Sequence, residues 1–580
     1  MNSSNKFENL IFYKKLNGTI PMYIINDFTD ECNFVLIFVN PKSGSQEGKI
    51  ILDYIDKYKE TSVRDYNIIH FPIEEPNDRI PIPLSASRSN SVQSFDEIKI
   101  KGVQHPTKFD PTIPFSTIIF NILDEDDYKK GKNFIKSYLN DFPEEELKIL
   151  IGGGDGSVLS IIEDLYKEKI DLEKCIFGAI PLGTGNDLSN AMGFDSKCEI
   201  GIQIEYFQRV LYTYLTASII KIDIWQLQLK VDKKEGKIFD IISNGEIELK
   251  DENDNCLTYF SKTFINYMSI GFDAKVGFMF EQRRTSSRIF NKVIYALEAG
   301  KNILRSLFGR KLGLSSLLEN LISLEGDNIE GKVLSNDENY FLDEDYIKSL
   351  NNKKIIFESI DRGKKKNTNQ TILKGNPVVI VCQNIDYYMG GTENIWGMSQ
   401  QIGIQPCGLK KKERKIYENN ISNSFHKQSS NDREIEFITY THGMDMGLDR
   451  VTGGNAKKVY QGSGPFFFTF KKVLSKAQKK KLNKVYINID GEFFHLVQPK
   501  QILISLNNNI CKGQIKFLKN EYAIWRLKQK STFQKIKKYI KKYIKYYKYV
   551  LITFIPLLLV LRSDLTTVII YFLFMLLFFL

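Results

Sequence analysis

Between Leu147 and Phe194 the chain spells one folding unit twice. The first copy, LKILIGGGDGSVLSIIEDL, sets the apolar run Ile149, Leu150, Ile151 before Gly152, Gly153 and Gly154. Asp155, Gly156 and Ser157 follow, and then Val158, Leu159, Ile161, Ile162 and Leu165 at helical spacing. The second copy sets Ile176 to Ile180 before Pro181, Leu182, Gly183, Thr184, Gly185, Asn186 and Asp187, and again opens a helix at Leu188. A strand, a glycine turn and a helix in that order let backbone N–H groups approach an anion, and the helix adds its positive end. Two such units in succession predict adjacent turns at the carboxyl edge of a parallel sheet, where open α/β folds bind ligands. The expectation is a phosphate site carrying carboxylates, Asp155 and Asp187, for a metal. Upstream, FVLIFV (Phe34 to Val39) runs into Asn40, Pro41, Lys42, Ser43 and Gly44, a third candidate phosphate loop. It is not a Walker A loop, because three residues separate Gly44 from Gly48 and Ile50 follows Lys49.

From about Pro72 to Pro114 the composition turns to Pro, Ser, Asn and charge, too polar to bury a core, and a disordered insertion is expected there. Thr117 to Leu123 reads as a strand and Tyr128 to Leu139 as a helix. Past Leu188 a long helical stretch is expected to end near Ile220, and then the pattern changes. Ile222 to Val231 alternates apolar and polar residues, as half-buried antiparallel strands do. Thr263 to Ile270, Pro377 to Cys382, Glu436 to Thr441, Phe466 to Phe470, Lys484 to Ile489 and Gln501 to Leu506 behave alike. An α/β half followed by a β half predicts two domains with the site in the cleft between them.

Of the 580 residues, 42% are apolar and 26% charged, which suits a globular chain of two or three domains. The net charge of +11 is concentrated around Lys410 to Lys415 and Lys528 to Lys548, so it gives no reason to expect a nucleic-acid partner. Seven scattered cysteines without a C-x-x-C pair support neither a disulfide frame nor a zinc module, and MNSSNKFENL lacks the basic start and apolar core expected of a signal peptide. Phe533 to Tyr549 places Ile536, Tyr539, Ile540, Tyr543, Ile544 and Tyr547 on one helical face among lysines, a pattern suited to anionic lipid surfaces. Val550 to Leu561 and Leu565 to Leu580 are almost wholly apolar, and the expectation is a membrane tail, either a re-entrant hairpin or a tilted span. The lysines before it would keep the catalytic part in the cytosol.

These pieces resemble the diacylglycerol kinase family over roughly Phe34 to Leu506. FVNPKSG (Phe38 to Gly44), IGGGDGSV (Ile151 to Val158) and PLGTGNDL (Pro181 to Leu188) are similar to motifs of its catalytic domain. NYMSIGFDAKV (Asn266 to Val276), RIFNKVIYALEAG (Arg288 to Gly300), NIDYYMGGTENIWG (Asn384 to Gly397) and NIDGEFF (Asn488 to Phe494) are similar to its accessory domain. The resemblance implies a three-layer, NAD-kinase-like α/β domain with a parallel sheet, followed by a mostly antiparallel β-sandwich. It also implies transfer of the ATP γ-phosphate to the hydroxyl of diacylglycerol with Mg2+, giving phosphatidic acid. Asn40, Lys42, Ser43, Gly44, Gly152, Gly153, Gly154, Gly156, Ser157, Gly183, Thr184, Gly185 and Asn186 would bind the nucleotide, and Asp155 and Asp187 the metal. For the proton acceptor the carboxylates are Asp155, Asp490 and Glu492. Asp490-Gly491-Glu492 matches a DGE-like motif of bacterial lipid kinases, which favours Glu492 with Asp490 beside it. A structural magnesium of those relatives would map onto Asp432 with carbonyls of Ser429 and Glu434, where the usual Asp-Gly is Asp432-Arg433.

No cysteine/histidine module for diacylglycerol is present, and the tail is expected to take over recruitment. Oligomeric state is not legible. The expected organisation is an N-terminal extension over 1–30 and a catalytic domain over 31–220 with its insert at 72–114. An accessory domain over 221–525 follows, with polar inserts at 335–374 and 410–431, then a basic amphipathic helix over 526–549 and a hydrophobic anchor over 550–580. The alternatives are a sphingoid-base or ceramide kinase on the same fold, NAD kinase, and an inactive membrane-bound scaffold that holds lipid or nucleotide.

Overall fold

The computed structural model describes residues 11–16, 20–25, 34–43, 47–59, 66–71, 115–183, 185–194, 204–242, 245–283, 294, 298, 313–325, 353–359, 372–373, 376–388, 392–400, 425–443, 445–446, 449, 454–471 and 484–521. Apolar runs without alternation, such as Phe34–Val39, bury both faces of a strand, and they build a sheet covered by helices on each side. Its seven strands run in the order Ile68–Phe71, Phe115–Asn121, Phe34–Val39, Leu147–Gly153, Cys175–Pro181, Gln514–Lys519 and Ser218–Asp223. The inner five pair in parallel, and each edge strand is antiparallel to its neighbour. Successive residues of one strand serve opposite layers. Leu36 and Phe38 pack with the helices Glu125–Asp141 and Asp155–Lys167, while Val35, Ile37 and Val39 pack with Glu47–Tyr58 and Ile204–Leu215.

The alternating segments form two antiparallel sheets, of eight and six strands. Met268, Ile270, Ile487 and Phe494 of the larger share one core with Trp225, Leu227, Phe466 and Ile502 of the smaller, which makes a sandwich. The outer face of the larger sheet buries Tyr267, Val381 and Tyr440 under Trp396 and the helix Phe272–Glu281. An α/β domain with a parallel sheet followed by a β-sandwich is the fold class expected from the sequence.

Two segments expected as single strands each divide between sheets. Ile222 to Val231 splits into the end of Ser218–Asp223, in the first sheet, and Trp225–Val231, in the six-stranded one. Thr263 to Ile270 splits into the end of Tyr259–Phe264, in the six-stranded sheet, and Tyr267–Gly271, in the eight-stranded one. One side chain explains both breaks. The buried Asn384 donates to Asp223 O (3.0 Å) and Ile265 O (2.6 Å), and its Oδ1 accepts from Trp225 Nε1 (3.1 Å), so it pairs backbone groups where the ladders end. Asn384→Ala is expected to cost about 2–4 kcal/mol, since it orphans these buried groups, and urea unfolding would measure it.

Other expectations shift. The helical stretch after Leu188 is two helices, Asp187–Ala191 and Ile204–Leu215, and the strand Ser218–Asp223 begins before Ile220. The insert at 335–374 contains the strand Lys354–Glu358, paired with Leu318–Ser323. Gln514–Lys519, expected from the sequence within the second domain, returns to the first sheet beside Cys175–Pro181. The insert at 72–114 lies outside the described residues.

The expected membrane localisation through a hydrophobic tail is corrected. Among the described residues no helix is long and apolar enough to cross a membrane, and the basic helix and anchor expected over 526–580 lie outside them. Length gives the physical reason. Arg562, Ser563 and Asp564 part the two apolar runs, so neither reaches the roughly 20 residues of a spanning helix.

Candidate active site

Three loops leave the carboxyl ends of three adjacent parallel strands, Phe34–Val39, Leu147–Gly153 and Cys175–Pro181. Backbone bonds lace them together. Asn40 N donates to Gly152 O (2.8 Å), and Leu182 N and Gly183 N both donate to Gly153 O (3.1 Å each). Glycine is required at the closest approach, because a Cβ on Gly183 would lie 2.5 Å from Gly154 Cα. Asn186, at φ 54°, fixes the same loop by accepting from Gly183 N and donating to Gly183 O, both at 2.9 Å.

Around this junction the side chains are small and polar. Asn40 Nδ2 donates to Ser157 Oγ (3.3 Å), and Asn40 Oδ1 accepts from Lys42 N (3.0 Å). A Cβ on Gly153 would meet Ser157 Oγ at 2.7 Å and Ser43 Oγ at 3.6 Å, so Asn40, Ser43, Gly153 and Ser157 converge. The helix Asp155–Lys167 starts here with Gly154 as its N-cap, and no side chain caps its first N–H groups. That arrangement is built to receive an anion. Lys42 is exposed, and Gly44 and Thr184 lie outside the described residues.

Four of the expected carboxylates meet this junction. Asp155 accepts from Asp187 N (2.9 Å) and Leu188 N (3.2 Å), which caps the helix Asp187–Ala191. Burial, with the charges of Asp187 and then Asp490, pushes Asp155 up to about 7. Asp490 and Gly491 arrive on the hairpin between Lys484–Ile489 and Glu492–Val497, with φ 49° and 88° in a two-residue turn of the primed type. Asp490-Gly491 is thus the turn itself, and it sets Glu492 as the first residue of the returning strand. Asp490 accepts from Ile265 N (2.7 Å), Asn266 N (2.9 Å) and Tyr267 N (2.8 Å), at the break between two sheets. Burial pushes it up to about 7 against the pull of those three donors.

Glu492 is the carboxylate that leans over the glycine loops. Its Oε1 lies 3.2 Å from where a Cβ on Gly156 would stand, and its Oε2 is 2.8 Å from Lys262 Nζ. Thr263 N donates to Glu163 Oε1 (3.2 Å), which ties the second domain to the helix Asp155–Lys167. Asp240, raised by burial and by the charge of Glu492, completes the rim. Sequence reasoning missed Lys262 and Asp240. Each sits among alternating strand residues (YFSKTF, KIFDII), and only the register of distant strands reveals which face they share.

Asp432 belongs to a different cluster. Its Oδ1 accepts from Glu434 N (3.0 Å), and donor atoms of His426, Asp432 and Glu434 lie within 4.8 Å of one another. Arg433 takes φ 62°, a left-handed backbone that favours glycine, and its N–H donates to Asp223 Oδ2 (2.7 Å). Ser429 Oγ donates to Asn431 Oδ1 (2.5 Å) in the same loop, which packs on the edge of the first sheet through Gln514 and Asp223.

Two family models match the chain: the diacylglycerol kinase catalytic domain over residues 107–211 and the diacylglycerol kinase accessory domain over residues 263–493. Diacylglycerol kinase iota of Homo sapiens is 28% identical over 165 residues, 27% of this chain and 14% of that one. Diacylglycerol kinase 5 of Arabidopsis thaliana is 26% identical over 296 residues, 46% and 47% of the two chains. Probable diacylglycerol kinase 3 of Caenorhabditis elegans is 24% identical over 394 residues, 66% of this chain and 39% of that one. The matches thus span less than half the length of these curated relatives. A crystal structure of a diacylglycerol kinase from Bacillus anthracis str. Sterne superposes at a TM-score of 0.33 with 11% identity, over 84% of this chain and 97% of that one.

Proposed function

The chain belongs to the diacylglycerol kinase family, and from that premise we propose that it transfers the γ-phosphoryl group of ATP to the free hydroxyl of diacylglycerol at a membrane surface, giving phosphatidic acid. The observation that carries this reading is Glu492, held by Lys262 through one oxygen and set against Gly156 through the other. An alcohol is a weak acid and needs a placed carboxylate to take its proton, whereas a transferring phosphoryl group needs N–H donors and positioning. Glu492 supplies the first. The uncapped start of the helix Asp155–Lys167, with Asn40, Ser43 and Ser157, supplies the second. Asp155 is assigned to the metal instead, its carboxylate fixed beside Asp187 by N–H groups of Asp187 and Leu188.

The residues present fit magnesium. Asp155 and Asp187 offer the oxygen donors that ion prefers, and their mutual repulsion in a buried setting is what a divalent cation relieves. When bound there, magnesium would neutralise charge on the phosphates. Because burial and neighbouring charges hold Asp155 protonated up to about 7, protons compete with the metal below that point. Affinity for Mg2+ is therefore expected to rise as pH rises from 6 to 8, with proton release in calorimetry carried out in two buffers. A flat affinity across that range would remove Asp155 from the metal site.

The test of function is transfer of label from ATP to a panel of diacylglycerol, sphingosine and ceramide in mixed micelles, with and without Mg2+. Labelled phosphatidic acid that requires Mg2+ is the expected product. Preferential label in a sphingoid base or ceramide would move the reading to those kinases, and lipid binding without transfer would make the chain a scaffold. Contact with anionic headgroups through the lysine-rich stretch 533–549 is part of the proposal and rests on its sequence pattern. Vesicle binding that does not change with anionic lipid content would remove it.

A further inference from the structure

Lys262 sits in the strand Tyr259–Phe264, opposite Leu227, with its side chain only 17% exposed. A cation kept from water must be paired, and here it is surrounded by acid. Its Nζ stands 2.8 Å from Glu492 Oε2, and Glu163 and Asp490 also act on its charge, as it does on that of Asp240. The next residue, Thr263, is anchored by its N–H to Glu163 Oε1 (3.2 Å), so the strand that carries Lys262 is fixed to the helix whose start forms the phosphate loop. Glu492 itself is more exposed, at 43%, and its other oxygen faces Gly156. A half-exposed glutamate has many rotamers, and a 2.8 Å ion pair on one oxygen leaves fewer.

Resting on the reading of Glu492 as the proton acceptor, we propose that Lys262 is a positioning residue: it clamps Oε2 of Glu492 so that Oε1 is the oxygen presented over the phosphate loop to the lipid hydroxyl. Lys262 acts through Glu492 and does not itself bind the nucleotide. Misplacing a catalytic group by about 1 Å costs about a hundredfold in rate. The proposal therefore separates turnover from binding.

The experiment is a double-mutant cycle on the full chain, measuring kcat, the KM for ATP and the melting temperature of Lys262→Met, Glu492→Gln and the double variant with labelled ATP and diacylglycerol micelles. Lys262→Met is expected to lower kcat about a hundredfold with the KM for ATP unchanged, and to cause no further loss in the Glu492→Gln background. Lys262→Arg, which can still pair with the carboxylate, is expected to recover most of the turnover. Should methionine unfold the strand, Lys262→Gln serves as the second neutral variant. An equal loss in both backgrounds, or a raised KM for ATP, would overturn the proposal and make Lys262 an independent phosphate ligand. Full turnover in Lys262→Met would also overturn it. Near-normal turnover in Glu492→Gln would instead sink the reading beneath it, whatever Lys262 does.

Discussion

Replacing Glu492 by Gln is expected to lower kcat for phosphatidic acid formation by about a thousandfold, within the range that a positioned general base contributes. Glutamine has nearly the same shape, and its carbonyl oxygen can still accept from Lys262 Nζ, now 2.8 Å from the carboxylate. What it loses is the capacity to take a proton. Nucleotide binding should persist, because the phosphate loops are fixed by their own bonds, Asn40 N to Gly152 O and Gly183 N to Gly153 O, and none passes through residue 492. The checks are steady-state turnover, fluorescent nucleotide titration and melting temperature on the same preparation. A kcat within tenfold of the parent chain would return the base to Asp155 or Asp490. The structure weighs against both in advance. Asp155 is fixed by Asp187 N and Leu188 N in the pair assigned to the metal, and the two oxygens of Asp490 serve three backbone donors.

The part of the site legible in the sequence is the part made locally. Two strand-turn-helix units in immediate succession place Gly153 and Gly183 near one another before any coordinates, whereas Asn40 joined them only through the family resemblance. Asp490-Gly491 is likewise a local turn, whose spelling carried both its geometry and its candidate role. What could not be read is whatever depends on partners far along the chain. Lys262 gains its meaning from Glu492, 230 positions later, and the strand breaks at Ile224 and Ile265 come from Asn384. Alternation predicts that a segment is a strand but is blind to a change of sheet in its middle, since the period of two continues across the break. The return of Gln514–Lys519 to the first sheet escaped because its partners, Cys175–Pro181 and Ser218–Asp223, lie about 300 positions earlier.

Asp490→Ala is expected to leave the second domain unfolded at 37 °C, while Asp490→Asn folds with a loss of about 2–4 kcal/mol. Three N–H groups, of Ile265, Asn266 and Tyr267, converge on this carboxylate, where the chain passes from the six-stranded to the eight-stranded sheet. Alanine removes both acceptor oxygens and leaves three donors, and each buried donor left unpaired costs about 1–3 kcal/mol. It also places a residue that dislikes the left-handed region at φ 49°, for about 1–2 kcal/mol more. Asparagine tolerates that backbone, so it isolates the hydrogen bonds from the strain. Its single carbonyl can serve Asn266 N and Tyr267 N, as Oδ1 of Asp490 does now, but its NH2 then confronts Ile265 N, donor to donor. Urea unfolding followed through Trp225 and Trp396, both buried in the second domain, would read the difference. If alanine and asparagine cost the same small amount, Asp490 is not what joins the two sheets. If asparagine alone folds yet loses turnover, the turn that Asp490 holds is also what aims Glu492, two residues on in the same hairpin.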